Sequence, residues 1–256
     1  MIADATVFRL HRLLSEFPAT HEDQSGAQLY LVYNVTKRTL AQFNLTDERT
    51  HESSQFRTGN WLRGRLFLFD LGFYSYRRFA LIDENDGYFV SRLKTNANPR
   101  IVGERRKWRA RAISLTGSHL QDQLSKLKRK HIDVTGEFEF KRRQYGEERS
   151  SATVEFRVVG VRNEDTDDYH LYVTNLPGEF TPEQVAALYS LRWKVELLFR
   201  ELKSRYGLEK FETGDKTIIE LLVVAALLTL LVSRALLAVF QEPDPDVEYP
   251  DEVGSR

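Results

Sequence analysis

The chain has 256 residues, of which 41% are hydrophobic, so it can bury a large core and is not disordered throughout. It has no cysteine, which excludes disulfides, thiolate zinc sites and cysteine nucleophiles and leaves only oxygen or imidazole ligands for any metal ion. The 37 basic and 37 acidic residues cancel, which excludes a protein that is basic all over. Charge is nevertheless segregated, because residues 100–149 are basic and residues 241–256 are acidic.

Residues 1–94 alternate between predicted strands and predicted helices. Runs of β-forming residues indicate strands, and longer amphipathic runs indicate helices. The predicted strands are Met1–Phe8, Gln28–Asn34, Arg38–Leu45, Leu66–Phe69 and Gly87–Leu93, and the predicted helical segments lie around Gln55–Gly64 and at Phe73–Ile82. This order is typical of an α/β domain, so residues 1–94 are assigned to the first part of its core.

Residues 95–178 have a different composition, in which charged segments alternate with β-forming runs. We expect strands at Asp133–Tyr145, Ala152–Val161 and Tyr169–Thr174, and interpret the whole segment as a β-rich insertion. Its basic stretch Arg105–Arg111 surrounds Trp108, a composition that suits stacking on single-stranded nucleic acid. A solvated strand with a half-buried tryptophan explains the same stretch equally well.

Residues 179–240 are predicted to be helical and to complete the core. The first helix begins after Thr181, with threonine as N-cap and proline at the first helical position, and is predicted to reach about Tyr206. The second helix, Ile218–Phe240, is apolar nearly all round, so we expect it in the interior. Charged residues interrupt it, which argues against a membrane span.

The last segment, residues 241–256, is acidic and contains three prolines, and we expect it to be disordered.

One face of the first predicted helix carries a polar stripe. At about 100° per residue, Tyr189, Arg192, Glu196 and Lys203 fall on one side, next to an apolar face. A solvated helix face with an Arg192–Glu196 pair at i,i+4 would explain this stripe without any chemistry.

The spacing Tyr189-x2-Arg192-x3-Glu196-x6-Lys203 resembles the signature of bacterial and archaeal DDE transposases of the insertion-sequence-four group. That group also has two upstream aspartates at strand ends. Asp4 and Asp70 stand in matching segments, in the matching order. The resemblance extends from Ile2 to about Phe240, although Ala5 and Leu71 differ from the residues that usually follow the two aspartates.

This resemblance implies an α/β fold: a ribonuclease-H-like catalytic core with a β-rich insertion between the second Asp and the Glu-bearing helix. It implies that Asp4, Asp70 and Glu196 are catalytic and bind two Mg²⁺ or Mn²⁺ ions, with Asp4 bridging them. Hard ions of this kind prefer carboxylate and water ligands, and a pair of them suits phosphodiester chemistry. Tyr189, Arg192 and Lys203 are the implied DNA contacts.

The predicted function is therefore metal-dependent cleavage and strand transfer at transposon ends by a prokaryotic, cytoplasmic, nucleoid-associated enzyme. Its partners would be transposon-end and target DNA and a second copy in a homodimer assembled on DNA, with no membrane. Since the chain begins three residues before Asp4, we expect the amino-terminal region of such proteins to be missing. The alternative is an inactive DNA-binding transposase remnant. A general nuclease of the same fold would not need the polar stripe, and a membrane protein is the least favoured alternative.

Overall fold

The computed structural model describes residues 1–10, 17–19, 25–105, 107–108, 111–112, 115–141, 151–209, 211 and 213–241. The strands in this part of the chain are β1 (Ile2–Leu10), β2 (Ser25–Asn34), β3 (Thr39–Asp47), β4 (Leu66–Phe69), β5 (Tyr88–Arg92), β6 (Arg100–Glu104), β7 (Lys107–Trp108), β8 (Arg111–Ala112), β9 (His131–Lys141), β10 (Ser151–Arg162) and β11 (Tyr169–Thr174). The helices are α1 (Glu52–Gln55), α2 (Tyr76–Glu84), α3 (Leu120–Leu124), α4 (Pro182–Ser190), α5 (Trp193–Arg205) and α6 (Lys216–Gln241), with 3₁₀ turns at Asn60–Leu62 and Leu71–Phe73.

Nine of these strands form one mixed sheet in the order β3-β2-β1-β4-β5-β11-β10-β9-β6. Strands β1, β4 and β5 are parallel to one another, whereas all other neighbours in the sheet are antiparallel. The predicted mixed α/β class is thus confirmed. The four strands from the second half of the sheet all come from residues 95–178, and they join it where β11 pairs with β5.

The sheet separates two hydrophobic cores. Strand β2 is buried along almost its whole length, and its alternating side chains point to opposite faces. Leu29 and Leu31 belong to the core covered by α4, α5 and α6, whereas Tyr30 and Val32 belong to the core that contains the buried residues of α2 and α3. This layering places α5 directly against β1.

The predicted single helix from Thr181 to Tyr206 is two helices, α4 and α5. Its start is confirmed, because Thr181 caps α4 in a reciprocal pair with Gln184 and proline follows it. The helix is interrupted at Leu191 and Arg192, whose backbones stay right-handed helical. Here the amides of Arg192, Lys194 and Val195 bond three residues back rather than four, so the chain tightens locally into 3₁₀-like turns.

Helix α6 is buried on one face only, so the expectation that it lies wholly in the interior was wrong. Ile219, Val223, Leu227 and Leu230 are buried. The opposite face is exposed along its length, at Ile218, Leu221, Leu222, Leu228, Val232 and Leu236. Within the described residues, the segment Lys216–Leu237 is long and apolar enough to cross a membrane, a test that core helices of soluble proteins also pass.

Smaller differences concern element boundaries. The helical stretch expected around Gln55–Gly64 is a four-residue helix and one 3₁₀ turn, and α2 begins at Tyr76 rather than Phe73. Apart from Gln241, the predicted acidic tail lies outside the described residues. Several residues of the basic stretch around Trp108 also lie outside them.

Candidate active site

Asp4 lies on β1, and Asp70 directly follows the neighbouring parallel strand β4. Ala3 of β1 lies opposite Phe69 of β4, and the next residue along the chain is an aspartate in both cases. Strand β4 ends there, and Asp70 caps the 3₁₀ turn that follows it. Strand β1 continues beyond Asp4 to Leu10, so Asp4 directly follows the last residue of β1 that pairs with β4.

Asp4 is the most deeply buried carboxylate of the site, with only 9% of the residue exposed. Burial raises the pKa of Asp4 to about 7, although the Ala5 amide and Arg192 oppose this shift, and the nearby charges of Asp70 and Glu52 add to it. The Ala5 N–H donates to the Asp4 carboxylate at 2.8 Å. An ionised carboxylate in such a place needs a cation close by.

Arg192 supplies that cation. Its guanidinium lies 3.6 Å from Asp4 Oδ2 and 2.5 Å from Glu196 Oε1. Although burial acts to lower it, the pKa of Arg192 is raised, because Glu196 and Asp70 both favour the charged form. The interruption between α4 and α5 falls at this residue. Arg192 thus connects α5 to β1 and brings Glu196 to the same side of the sheet as the two aspartates.

Tyr189 and Lys203 flank this group at different depths. Tyr189 is only 8% exposed and packs against Tyr172, with ring centroids 5.3 Å apart. The Lys203 ammonium lies 5.9 Å from the Phe8 ring, and burial lowers the pKa of Lys203. Since Phe8 is four residues beyond Asp4 on β1, Lys203 lies about 13 Å further along the strand. Besides Glu196, the predicted stripe therefore consists of a buried tyrosine, a central arginine and a more distant lysine.

The donor set suits a divalent cation. Carboxylates are the ligands that hard ions such as Mg²⁺ and Mn²⁺ prefer. The Arg192 guanidinium between Asp4 and Glu196 provides positive charge at the position that a metal ion would take. Within the described part of the chain, no three Asp, Glu or His side chains lie at the spacing that a metal ion requires. A metal ion bound by these carboxylates would therefore need Arg192 to withdraw and the carboxylates to come closer together.

A fourth acidic residue, Glu52, interacts with Asp70 and was not among the residues expected from the sequence. Burial raises the pKa of Glu52, and the charge of Asp70 raises it further. Gly72 leaves room for it, because a Cβ at this position would lie 1.7 Å from Glu52 Oε1. No spacing pattern links Glu52 to Asp4 or Asp70, so only the tertiary structure reveals it.

Comparisons with known proteins point to one family. A family model described as a transposase DDE domain matches residues 1–232. The transposase of insertion sequence element IS231F from Bacillus thuringiensis subsp. israelensis is 24% identical over an alignment of 251 residues, and the match covers 86% of this chain and 52% of the relative. The putative transposase y4zB from Sinorhizobium fredii is 24% identical over 209 residues, covering 82% of this chain and 53% of the relative. The chain thus spans about half the length of the curated relatives that it matches.

A solved structure shares the fold. The match to the piggyBac transposase in its synaptic complex with hairpin DNA covers 94% of this chain and 48% of the piggyBac chain, with a TM-score of 0.51 and 9% sequence identity.

Proposed function

Because the chain belongs to the transposase DDE domain family, we propose that it is the catalytic portion of a DNA transposase that cleaves DNA at transposon ends and transfers the strands. In this proposal Asp4, Asp70 and Glu196 bind two Mg²⁺ or Mn²⁺ ions. The observation that carries the proposal is the Arg192 guanidinium, which contacts Asp4 and Glu196 while Asp70 also favours its charge. Two of the three proposed metal ligands, Asp4 and Glu196, thus lie beside one positively charged group.

The finer fold assignment belongs to the same proposal. The order β3-β2-β1-β4-β5, with β4 and β5 parallel to β1, supports a ribonuclease-H-like core. Residues 95–178 would be the β-rich insertion between Asp70 and the helix that carries Glu196. Residues 1–94 and 179–240 would then be the two parts of the core.

Each residue has a separate task in this proposal. Asp4 would be shared by the two ions, while Asp70 and Glu196 would each complete one site. Two divalent ions, when bound, stabilise the charge that develops on the attacking and leaving oxygens of the phosphodiester. Arg192 would exchange its carboxylate partners for a DNA phosphate, a group that its planar fork suits equally well.

DNA binding would spread along α5 and β1. Lys203 would hold the backbone about 13 Å from Asp4, a distance of roughly two phosphates along one strand, and contacts of this kind position DNA without reading its sequence. Tyr189, which is largely buried, would act mainly by packing beneath Arg192. Assembly as a homodimer on DNA, in the prokaryotic cytoplasm and near the nucleoid, completes the proposal.

Metal binding tests the proposal without requiring turnover. In isothermal titration with Mn²⁺, we expect wild-type protein to bind and Asp4→Asn and Glu196→Gln to bind at least about tenfold more weakly, since each change removes one ligand charge. Glu164→Gln is the matched control, because Glu164 is exposed in the turn between β10 and β11 and should bind Mn²⁺ like the wild type. Equal Mn²⁺ affinity in all four proteins would refute the metal site.

The inactive-remnant alternative differs only in catalysis. It predicts DNA binding without cleavage even when Mn²⁺ binds normally, so a cleavage assay on the same preparations separates the two functions.

A further inference from the structure

A large cleft lies at the turn that follows Asp70. It has a volume of about 1000 Å³ and lies between α1, the turn after β4, the start of α2 and the end of β9. Six side chains characterise its walls: Tyr74, Tyr76, Phe140, Arg77, Lys94 and Lys141. Glu52 and Gly72 also line it, and because the charge of Asp70 raises the pKa of Glu52, the cleft adjoins the carboxylate site.

The tyrosine side chains of the cleft pack against other rings and are partly exposed. The rings of Tyr74 and Tyr76 meet edge to face with centroids 5.2 Å apart, and the two hydroxyls are hydrogen-bonded at 3.1 Å. Tyr76 is supported from behind by Phe138, 4.8 Å away between centroids. Because Tyr74, Tyr76 and Phe140 are only half-buried, each leaves part of its ring available to a planar ligand.

Besides Arg78, three cationic side chains line the cleft. Arg77 and Lys141 are exposed, and Lys94 lies 5.0 Å from the Tyr74 ring centroid. Among the described residues, none of these three cations forms an ion pair. Arg78 differs from them, since its guanidinium is bound to the carbonyls of Phe73 and Ser53 and holds the turn after β4 in place.

This combination matches one chemistry. Aromatic rings bind bases by stacking, and unpaired cations bind a phosphate backbone, which together make up a binding site for single-stranded nucleic acid. The amino-terminal turn of α2, where Tyr76 and Arg77 lie, adds backbone N–H groups that favour an anion. An acidic peptide would use the cations but would leave the ring faces without a stacking partner.

We propose that the cleft lined by Tyr74, Tyr76, Phe140, Arg77, Lys94 and Lys141 binds a single-stranded segment of DNA as it leaves the carboxylate site beside Asp70. The proposal rests on the proposed function, because it takes the DNA at Asp4, Asp70 and Glu196 as its starting point. Bases stack on the tyrosine pair, and Arg77 and Lys94 hold phosphates. A strand would then run from Lys203 past the carboxylates and into the cleft.

Binding of a fluorescein-labelled dodecathymidylate, followed by fluorescence anisotropy in EDTA at low salt, tests the cleft without metal or turnover. We expect Tyr76→Leu to weaken binding about tenfold, as for the loss of one stacked base, and Tyr76→Phe to bind like the wild type. Arg77→Glu should also bind about tenfold more weakly, with a shallower salt dependence, because a phosphate contact is lost. The matched controls are Tyr88→Leu, at the opposite end of the parallel strands, and Lys37→Glu, in the turn between β2 and β3; both should bind normally.

Three results would overturn the proposal: no binding by wild-type protein, equal binding by Arg77→Glu and Lys37→Glu, or competition by poly-glutamate as effective as that by unlabelled dodecathymidylate. If Tyr76→Leu fails to fold, Arg77→Glu at the exposed rim still decides the matter. The Mn²⁺ titrations separate this proposal from the function on which it rests. Cleft variants that lose the oligonucleotide should retain wild-type Mn²⁺ binding, whereas failure of the Asp4→Asn test would count against the metal site alone.

Discussion

At the scale of single residues, the candidate site is a balance between one arginine and several carboxylates. Asp4 is buried, and its ionised form depends on Arg192 in the absence of another cation. Removing one member of such a group leaves its partner's charge without compensation. Substitutions on α5 should therefore affect metal binding, chemistry and DNA binding to different degrees.

Glu196→Gln should separate chemistry from DNA binding. The change keeps the size of the side chain but removes a metal ligand, so we expect loss of transposon-end cleavage, with DNA affinity unchanged or slightly higher because a negative charge near the backbone disappears. Gel-based cleavage and anisotropy on the same duplex measure the two effects. Wild-type cleavage by Glu196→Gln, in a preparation where wild-type protein cleaves, would refute the assignment of Glu196.

In contrast to Glu196→Gln, Arg192→Ala and Lys203→Ala should weaken DNA binding. Each loses a phosphate contact, so binding should weaken on every sequence tested, and the slope of log affinity against log salt should fall by about one unit. Lys194→Ala is a suitable control, because Lys194 is exposed on the same helix but outside the stripe. A loss confined to one DNA sequence would contradict a backbone contact.

Asp4, Asp70, Glu196 and Arg192 could be proposed from the sequence through the family resemblance, which combines the fixed spacing on the helix with an aspartate after each of two short apolar runs. Glu52 and the Tyr74–Tyr76 pair could not. Glu52 reaches Asp70 only because the chain turns back after β3, and the tyrosines line a cleft whose other wall comes from β9, more than sixty residues later. Such contacts depend on tertiary structure and leave no local periodicity.

At the scale of elements, helix starts were more predictable than helix interruptions. The start of α4 has a threonine cap, a proline and a glutamine at the right positions, each with a local chemical cause. The break before α5 contains neither glycine nor proline. It coincides with the contact between Arg192 and Asp4, which joins residues far apart in sequence. Local sequence therefore could not predict it.

Thr181→Ala should destabilise the protein through the start of α4. The change removes the hydroxyl that accepts from the Gln184 amide, and we expect a loss of about 1 kcal/mol in the free energy of unfolding. Thr229→Ala is the matched control. Thr229 is exposed in the middle of α6 and bonds back to Ala225, so alanine there should be neutral or slightly stabilising. Urea denaturation measures both, and equal losses would contradict a specific capping effect.

At the scale of the whole molecule, the α/β class followed from the order of strand and helix signals, but the single nine-stranded sheet did not. The strands of residues 95–178 alternate like those of any half-buried sheet, and nothing local indicates that β11 pairs with β5. The pairing matters because it makes one continuous core beneath α2. Phe79 of α2 contacts both halves: its ring is stacked 4.3 Å from Phe89 of β5 and lies 6.3 Å, edge to face, from Phe156 of β10.

Phe79→Ala should therefore weaken the whole sheet. Phe79 is fully buried, and truncation of a buried phenylalanine costs about 3 to 5 kcal/mol. Phe43→Ala on β3 is the matched control, because Phe43 is 49% exposed and its removal should change stability by less than about 0.5 kcal/mol. The two halves should unfold in one transition in both variants. A separate early transition for residues 95–178 would indicate that the two halves are independent.

The exposed face of α6 provides the last test of how the molecule is built. If α6 packs on α5 through one face and is otherwise in water, the triple variant Leu221→Gln, Leu228→Gln, Val232→Thr should fold with a melting temperature within a few degrees of the wild type, because its targets are 66%, 58% and 57% exposed. Leu230→Gln should lower the melting temperature strongly, since Leu230 is fully buried and its amide would lack a partner. The ion pair between Arg234 and Glu201, at 2.8 Å, should hold α6 against α5 in the triple variant. Both wild type and triple variant should be recovered without detergent. Recovery of the wild type only from membranes, together with loss of that association in the triple variant, would mean that the exposed face meets lipid and that the packing of α6 on α5 is not its main support.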